Sequence, residues 1–115
     1  METKQAVEAL SALAQETRLS IFRLLVEAGP AGMAAGEIGE RLDLAPATLS
    51  FHLAGLKRAG LARSRQAGRF VIYSADFQAM NALVAYLSEN CCGGASCNLS
   101  TGETNETPAR TRRRA

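Results

Sequence analysis

Residues 46–60 read Pro46-Ala47-Thr48-Leu49-Ser50-Phe51-His52-Leu53-Ala54-Gly55-Leu56-Lys57-Arg58-Ala59-Gly60, and the reading of this stretch decides the fold. Pro46 stands where proline is welcome, at the first position of a helix, and Gly60 suits the cap at its other end. On a wheel of about 100° per residue, Leu49, Leu53 and Leu56 fall in one narrow stripe that anchors the helix to a core. The opposite face carries Ala47, Phe51, Ala54 and Arg58, with Ser50 and Lys57 on one flank and Thr48 on the other. Small and hydrogen-bonding side chains at the start, with cations at the end, are what a helix entering a DNA major groove requires. Small residues permit close approach, Ser and Thr bond base edges or phosphates, and the cations hold the backbone.

The flanks extend this reading in both directions. Upstream, a short helix around 36–42 places Ile38 and Leu42 four apart, and Asp43-Leu44-Ala45 is a tight connection, so the two helices form a helix-turn-helix. Downstream, 61–66 and 69–74 read as two strands joined at Ala67-Gly68, with the β-forming run Phe70-Val71-Ile72-Tyr73. That hairpin is a wing, and Arg63, Arg65 and Arg69 flank it where phosphate or minor-groove contact is available. Residues 4–14 space Ala6, Val7, Leu10, Leu13 and Ala14 as one amphipathic helix. Gln15-Glu16-Thr17 is a polar break, and Thr17 is the expected cap of a second helix that buries Leu19, Ile21, Phe22, Leu25 and Val26 before Gly29-Pro30-Ala31-Gly32 ends it. A last helix over 76–89 carries Phe77, Met80, Leu83, Val84 and Leu87. The expected architecture is mainly α with a β-hairpin wing, a dimeric winged helix-turn-helix. Residues 1–90 form the DNA-binding and dimerisation domain, 91–97 a cysteine inducer-binding segment, and 98–115 a flexible polar tail.

Composition agrees with a small DNA-binding module. A chain of 115 residues that is 47% hydrophobic builds one modest core. A 21% charged content excludes wholesale disorder, and 5% aromatic residues with no Trp argue against an all-β sandwich. No apolar run approaches the ~18 residues of a membrane span. Met1-Glu2-Thr3-Lys4 lacks a signal-like apolar stretch, so a cytoplasmic location is expected. The net charge of +2 comes from the tail, where Arg110, Arg112, Arg113 and Arg114 outnumber Glu103 and Glu106. Residues 1–97 balance, yet Lys57, Arg58, Arg63, Arg65 and Arg69 follow one another without an acid between them. A neutral domain with one concentrated basic segment points to a phosphate-facing surface. Two residues of the reading helix keep two readings each. Phe51 either meets a thymine methyl or is partly buried against the preceding helix. His52, nearer the Leu stripe, either packs or contacts the DNA backbone.

Three motifs, in order, resemble the ArsR/SmtB family of metalloregulatory repressors. Leu13-Ala14-Gln15-Glu16-Thr17-Arg18-Leu19-Ser20-Ile21-Phe22-Arg23-Leu24-Leu25 is similar to that family's second-helix signature. Residues 47–61 are similar to its recognition helix, and Gly68-Arg69 with Val71-Ile72-Tyr73-Ser74 to its wing. The resemblance covers roughly residues 5–90. It implies a homodimer built on the first and last helices, which binds a two-fold double-stranded operator and lets go when metal binds. The apolar faces of those helices also ask for a partner by themselves. Two departures matter. Arsenical sensors of the family carry Cys-x-Cys at the start of the third helix, where this chain has Ala34 and Gly36. Zinc sensors use a His-containing site on the last helix; Asp76 matches one ligand, but the only His here is His52.

The sensor is therefore sought in Cys91-Cys92-Gly93-Gly94-Ala95-Ser96-Cys97. Three cysteines within seven residues make no disulfide framework for a secreted domain and read as metal binding or redox chemistry. The paired glycines let the chain turn back and bring Cys97 toward the adjacent pair. Three thiolates without a fourth ligand suit a trivalent ion wanting a soft pyramid, As(III) or Sb(III), whereas structural zinc is usually four-coordinate. Some members of the family are similar in carrying such a C-terminal trio as their arsenical site. Another thiophilic metal, Cd(II), Pb(II) or Hg(II), and a redox switch closing Cys97 onto one of the pair remain alternatives. No permanent cofactor is expected, and close spacing favours a site within one chain. An enzyme, such as a thiol-dependent arsenate reductase, is disfavoured. Its nucleophilic Cys needs an anion cradle and nearby basic help, and Cys91-Cys92-Gly93-Gly94 has no adjacent Arg or Lys.

Overall fold

A computed structural model describes residues 1–94. The chain runs α1 (Thr3–Leu13), α2 (Glu16–Ala28), β1 (Met33–Ala34), α3 (Ala35–Leu42), α4 (Pro46–Arg58), β2 (Ala62–Ala67), β3 (Phe70–Ala75) and α5 (Phe77–Leu87), followed by a short 3-10 turn, Cys91–Gly94. Each expected helix is present, and the ends show why. α1 opens on a capping box between Glu2 and Gln5. α2 begins two residues earlier than a Thr17 cap would allow: Gln15 is the cap, and its Oε1 accepts the Arg18 N–H at 2.8 Å. Glu16 thereby enters the first turn, where a carboxylate favours the helix dipole. α4 closes with paired bonds, Leu61 N–H to Leu56 O and Gly60 N–H to Lys57 O, both 2.9 Å, around Gly60 at φ +80°. Asp76 caps α5 by accepting the Ala79 N–H at 2.9 Å, and α5 ends at Leu87 rather than at 89.

The hairpin pairs Ala62 with Ala75 through to Ala67 with Phe70, so its two-residue loop is Gly68-Arg69. That is one residue later than expected, and a glycine with positive φ at the first loop position is the composition of a tight II′-type turn. β1 was not anticipated. Two residues are too short to show alternation, yet Met33 pairs with Tyr73 and Ala34 with Ile72, giving the antiparallel order β1-β3-β2. The strand fastens the wing to the start of α3. Gly32 makes this possible, because at φ +76° a Cβ there would stand 2.4 Å from the Tyr73 carbonyl oxygen.

The core lies where α2, α3, α4 and the base of the hairpin meet. Ile21, Leu25, Ile38, Leu53, Leu56 and Leu61 are fully enclosed. α1 lays Ala6, Ala9 and Ala12 against this core, and Thr3 Oγ1 bonds the Tyr86 hydroxyl, tying α1 to α5. Small residues on the buried side of α1 bring its backbone close. They leave Val7 and Leu10 exposed, and α5 likewise exposes Val84 and Leu87. Among the described residues no helix is long and apolar enough to cross a membrane. Cys97, the tail over 98–115 and its arginines lie outside the described residues.

Candidate nucleic-acid interface

The hydrophobic stripe of α4 turns Leu49, Leu53 and Leu56 inward, so Ala47, Thr48, Ser50, Phe51, Ala54, Lys57 and Arg58 all face outward. The first turn presents only small and hydroxylic groups, and the last turn presents two cations. Phe51 is 65% exposed, which settles its position: the ring lies on the outward face and packs edge-wise with the ring of His52, at a centroid distance of 5.3 Å. An aromatic ring on this face is available to meet a thymine methyl in the major groove.

Lys57 Nζ donates to Ser64 Oγ at 2.8 Å, joining the end of α4 to the wing. Strand alternation puts Arg63 and Arg65 on the other face of β2 from Ser64. Arg63 Nε lies 3.5 Å from Asp76 Oδ2, and Arg65 donates to the Ala31 carbonyl at 2.9 Å. The Arg65 bond is exposed, and Arg63 is itself solvent-facing although Asp76 is partly buried, so both arginines can exchange these partners for phosphate. Arg58 and Arg69 make no ion pair or hydrogen bond among the described residues. At the wing tip Gln66 Nε2 donates to the Gly68 carbonyl at 3.0 Å, and Phe70 stands exposed beside Arg69. The sequence marked Phe70 only as a strand former; its place next to the turn is what carries it to the tip.

His52 is on neither exposed face. It is 9% exposed, and its Nδ1 lies 3.3 Å from a terminal nitrogen of Arg18. The packed reading of His52 therefore holds in place of a contact with the DNA backbone, because the ring is enclosed between α2 and the Leu side of α4.

Beyond α5 the chain turns sharply, with Asn90, Cys92 and Gly93 all at positive φ. Cys91 and Cys92 bring their sulfurs to 3.5 Å. Cys91 has a free thiol, and Cys92 is disulfide-bonded. No group of three His, Cys, Asp or Glu side chains that could hold a metal ion occurs among the described residues; the third member of the expected trio, Cys97, is outside them.

A helix-turn-helix domain family matches residues 13–65. The chain is 34% identical over 88 residues to the transcriptional activator HlyU of Vibrio cholerae, covering 76% of this chain and 79% of HlyU. An ArsR-like transcriptional regulator from Rhodococcus superposes with a TM-score of 0.66 at 28% identity, over 74% of this chain and 77% of that one. The chain belongs to the ArsR family of winged helix-turn-helix transcriptional regulators. The solution structure of the homodimeric winged helix-turn-helix DNA-binding domain Mb0332 from Mycobacterium bovis also matches this ArsR-family chain, with a TM-score of 0.60 at 26% identity, over 83% of this chain and 88% of that one. Both HlyU and the Rhodococcus protein are transcriptional regulators. In the ArsR-family frame α3 and α4 are the helix-turn-helix, β2 and β3 the wing, and α1 with α5 the platform that carries the exposed Val7, Leu10, Val84 and Leu87.

Proposed function

We propose that this regulator binds a two-fold DNA operator as a homodimer and represses transcription. It leaves the operator when As(III), or Sb(III), is held by the thiolates of Cys91, Cys92 and Cys97, derepressing resistance genes. DNA recognition rests on the outward face of α4, where Ala47, Thr48, Ser50 and Phe51 reach bases and Lys57 and Arg58 hold phosphates, and on the wing, where Arg63, Arg65 and Arg69 hold phosphates. The dimer rests on the uncovered apolar residues of α1 and α5, in a family that includes a homodimeric domain.

The observation that supports the sensor is the adjacent pair Cys91-Cys92 just beyond α5, with a third cysteine, Cys97, five residues on. In the fully reduced protein three soft donors suit a lone-pair ion in a pyramid, whereas structural zinc takes four ligands, and three thiolates cancel a trivalent charge. With the trio engaged, residues 91–97 close into a compact loop, α5 shifts at the dimer interface, and the two α4 helices lose the spacing of about one DNA turn that two half-sites demand. Operator DNA must then weaken inducer binding by the same factor. Titrating the fully reduced protein with arsenite while following thiolate-to-arsenic absorbance tests the site. One equivalent per chain, absent from a Cys91/Cys92/Cys97 triple Ser variant, is expected; no absorbance change in the wild type would overturn the reading.

One observation favours a second reading on the same fold. Cys92 is disulfide-bonded, so the segment is also suited to a thiol switch that answers oxidants. Under that reading peroxide releases DNA, and arsenite does nothing to the reduced protein.

A further inference from the structure

The side chain of Arg18, in the first turn of α2, is bonded to two other helices at once. Its Nε donates to the Ala12 carbonyl in the last turn of α1 at 2.7 Å, and a terminal nitrogen lies 3.3 Å from His52 Nδ1 in the middle of α4. Its own backbone N–H is held by Gln15 at 2.8 Å, which fixes where the side chain starts. Its stem lies along α4 at Gly55, where an added Cβ would sit 3.4 Å from Arg18 Cδ. Beside this bridge α1 and α4 part around a groove of about 450 Å³ lined by Val7, Glu8, Ser11, Gly55, Arg58 and Ala59. On that side the guanidinium is the polar link across the gap.

A guanidinium has only donors, so His52 Nδ1 accepts and the ring proton sits on Nε2. The planar fork matters: Arg presents donors in fixed directions, whereas the single ammonium of Lys cannot hold both acceptors in the same geometry. His52 follows Phe51 directly, so a ring fixed by Arg18 also fixes the helix rotation that aims Phe51 outward.

We propose that Arg18 is a positioning residue that sets the angle of α4 against the α1–α5 platform, and so sets which half-site spacing the dimer accepts. The inference rests on the dimeric DNA-binding reading above and assigns Arg18 and His52 a role without DNA contact. The bridge makes the distance between the two reading helices a property of the platform; without it each α4 swivels on its Leu stripe and tolerates neighbouring spacings.

The test lets the full-length reduced protein select from a duplex library in which two inverted randomised half-sites flank spacers of graded length. Affinities are then measured on the selected half-sites at each spacing. Wild type is expected to prefer one spacing. Arg18→Met and Arg18→Lys are expected to lower its discrimination against spacers one base pair longer or shorter by about tenfold, the size of a lost charge-assisted hydrogen bond. His52→Asn, whose amide oxygen replaces the Nδ1 acceptor, is expected to retain the preference, and His52→Leu to lose it. Thermal melts of each variant accompany the selection, because lost stability lowers affinity at every spacing alike and leaves the preference intact. Unchanged spacing preference in both Arg18 variants would overturn the role of Arg18 while leaving the dimeric reader standing. Absence of any paired half-sites in the wild-type selection would remove the dimeric reading and this inference together.

Discussion

Leu53 and Phe51 sit two residues apart on α4 and meet opposite environments, the first enclosed and the second 65% exposed. Leu53→Ala should cost about 2–5 kcal/mol of folding stability by opening a cavity, read by chemical denaturation. Phe51→Ala should change stability by no more than about 0.5 kcal/mol. It should nevertheless weaken specific DNA binding by ~1–3 kcal/mol and relax the preference at one base pair. Both faces were legible in the sequence because a helix wheel needs only local spacing. The partner of His52 was not, since Arg18 lies 34 residues earlier and no periodic pattern encodes a side-chain bond of that range. Backbone demands behave the same way. Gly32 is one glycine among ten, and only the closeness of the Tyr73 carbonyl shows that nothing larger fits. Gly32→Ala should cost at least ~1–3 kcal/mol through strained φ and that clash. Gly36→Ala, inside α3 with open space around it, should stabilise by about 0.5–1 kcal/mol. A pair of thermal melts separates the two.

At the scale of elements, helices with turn-to-turn apolar repeats were placed to within a residue or two, while their ends depended on which polar group won the cap. Gln15 outcompetes Thr17 for α2 because its side chain reaches the Arg18 N–H and leaves Glu16 in the first turn. The hairpin loop moved one residue because cross-strand register is set by the turn, and Gly68 supplies the positive φ at its first position. β1 depends on pairing with β3 and has no signature of its own. The basic run was legible as charge, yet its division of labour was not. Lys57, Arg63 and Arg65 have partners in the chain, whereas Arg58 and Arg69 have none among the described residues. Arg58→Ala and Arg69→Ala should each lower the slope of log affinity against log salt by about 0.9, one phosphate contact. They should weaken all sequences alike, as anisotropy at several salt concentrations would read.

At the scale of the whole molecule, α1 and α5 leave Val7, Leu10, Val84 and Leu87 open to solvent. Under the proposed dimeric reading one protomer is an incomplete reader, because a single α4 meets one half-site. Leu87→Asp should yield a monomer in sedimentation and reduce operator affinity by about 100-fold or more, the loss that follows when two linked sites bind separately. α5 leads directly into the Cys91–Gly94 turn, so under the proposed function the sensor lies next to the interface it must disturb. The fold and the reading helix were visible in the sequence because three local motifs follow in order. The proposed sensor rests on chemistry alone, three soft donors in seven residues, since its third member, Cys97, lies outside the described residues.

The most direct measurement is fluorescence anisotropy of the fully reduced protein on duplex from its own promoter, titrated with arsenite, with the Cys91/Cys92/Cys97 triple Ser variant alongside. Both proteins should bind the duplex, and arsenite should release the wild type alone. Tight binding of the wild type untouched by arsenite, or release of the triple variant as well, would contradict the account.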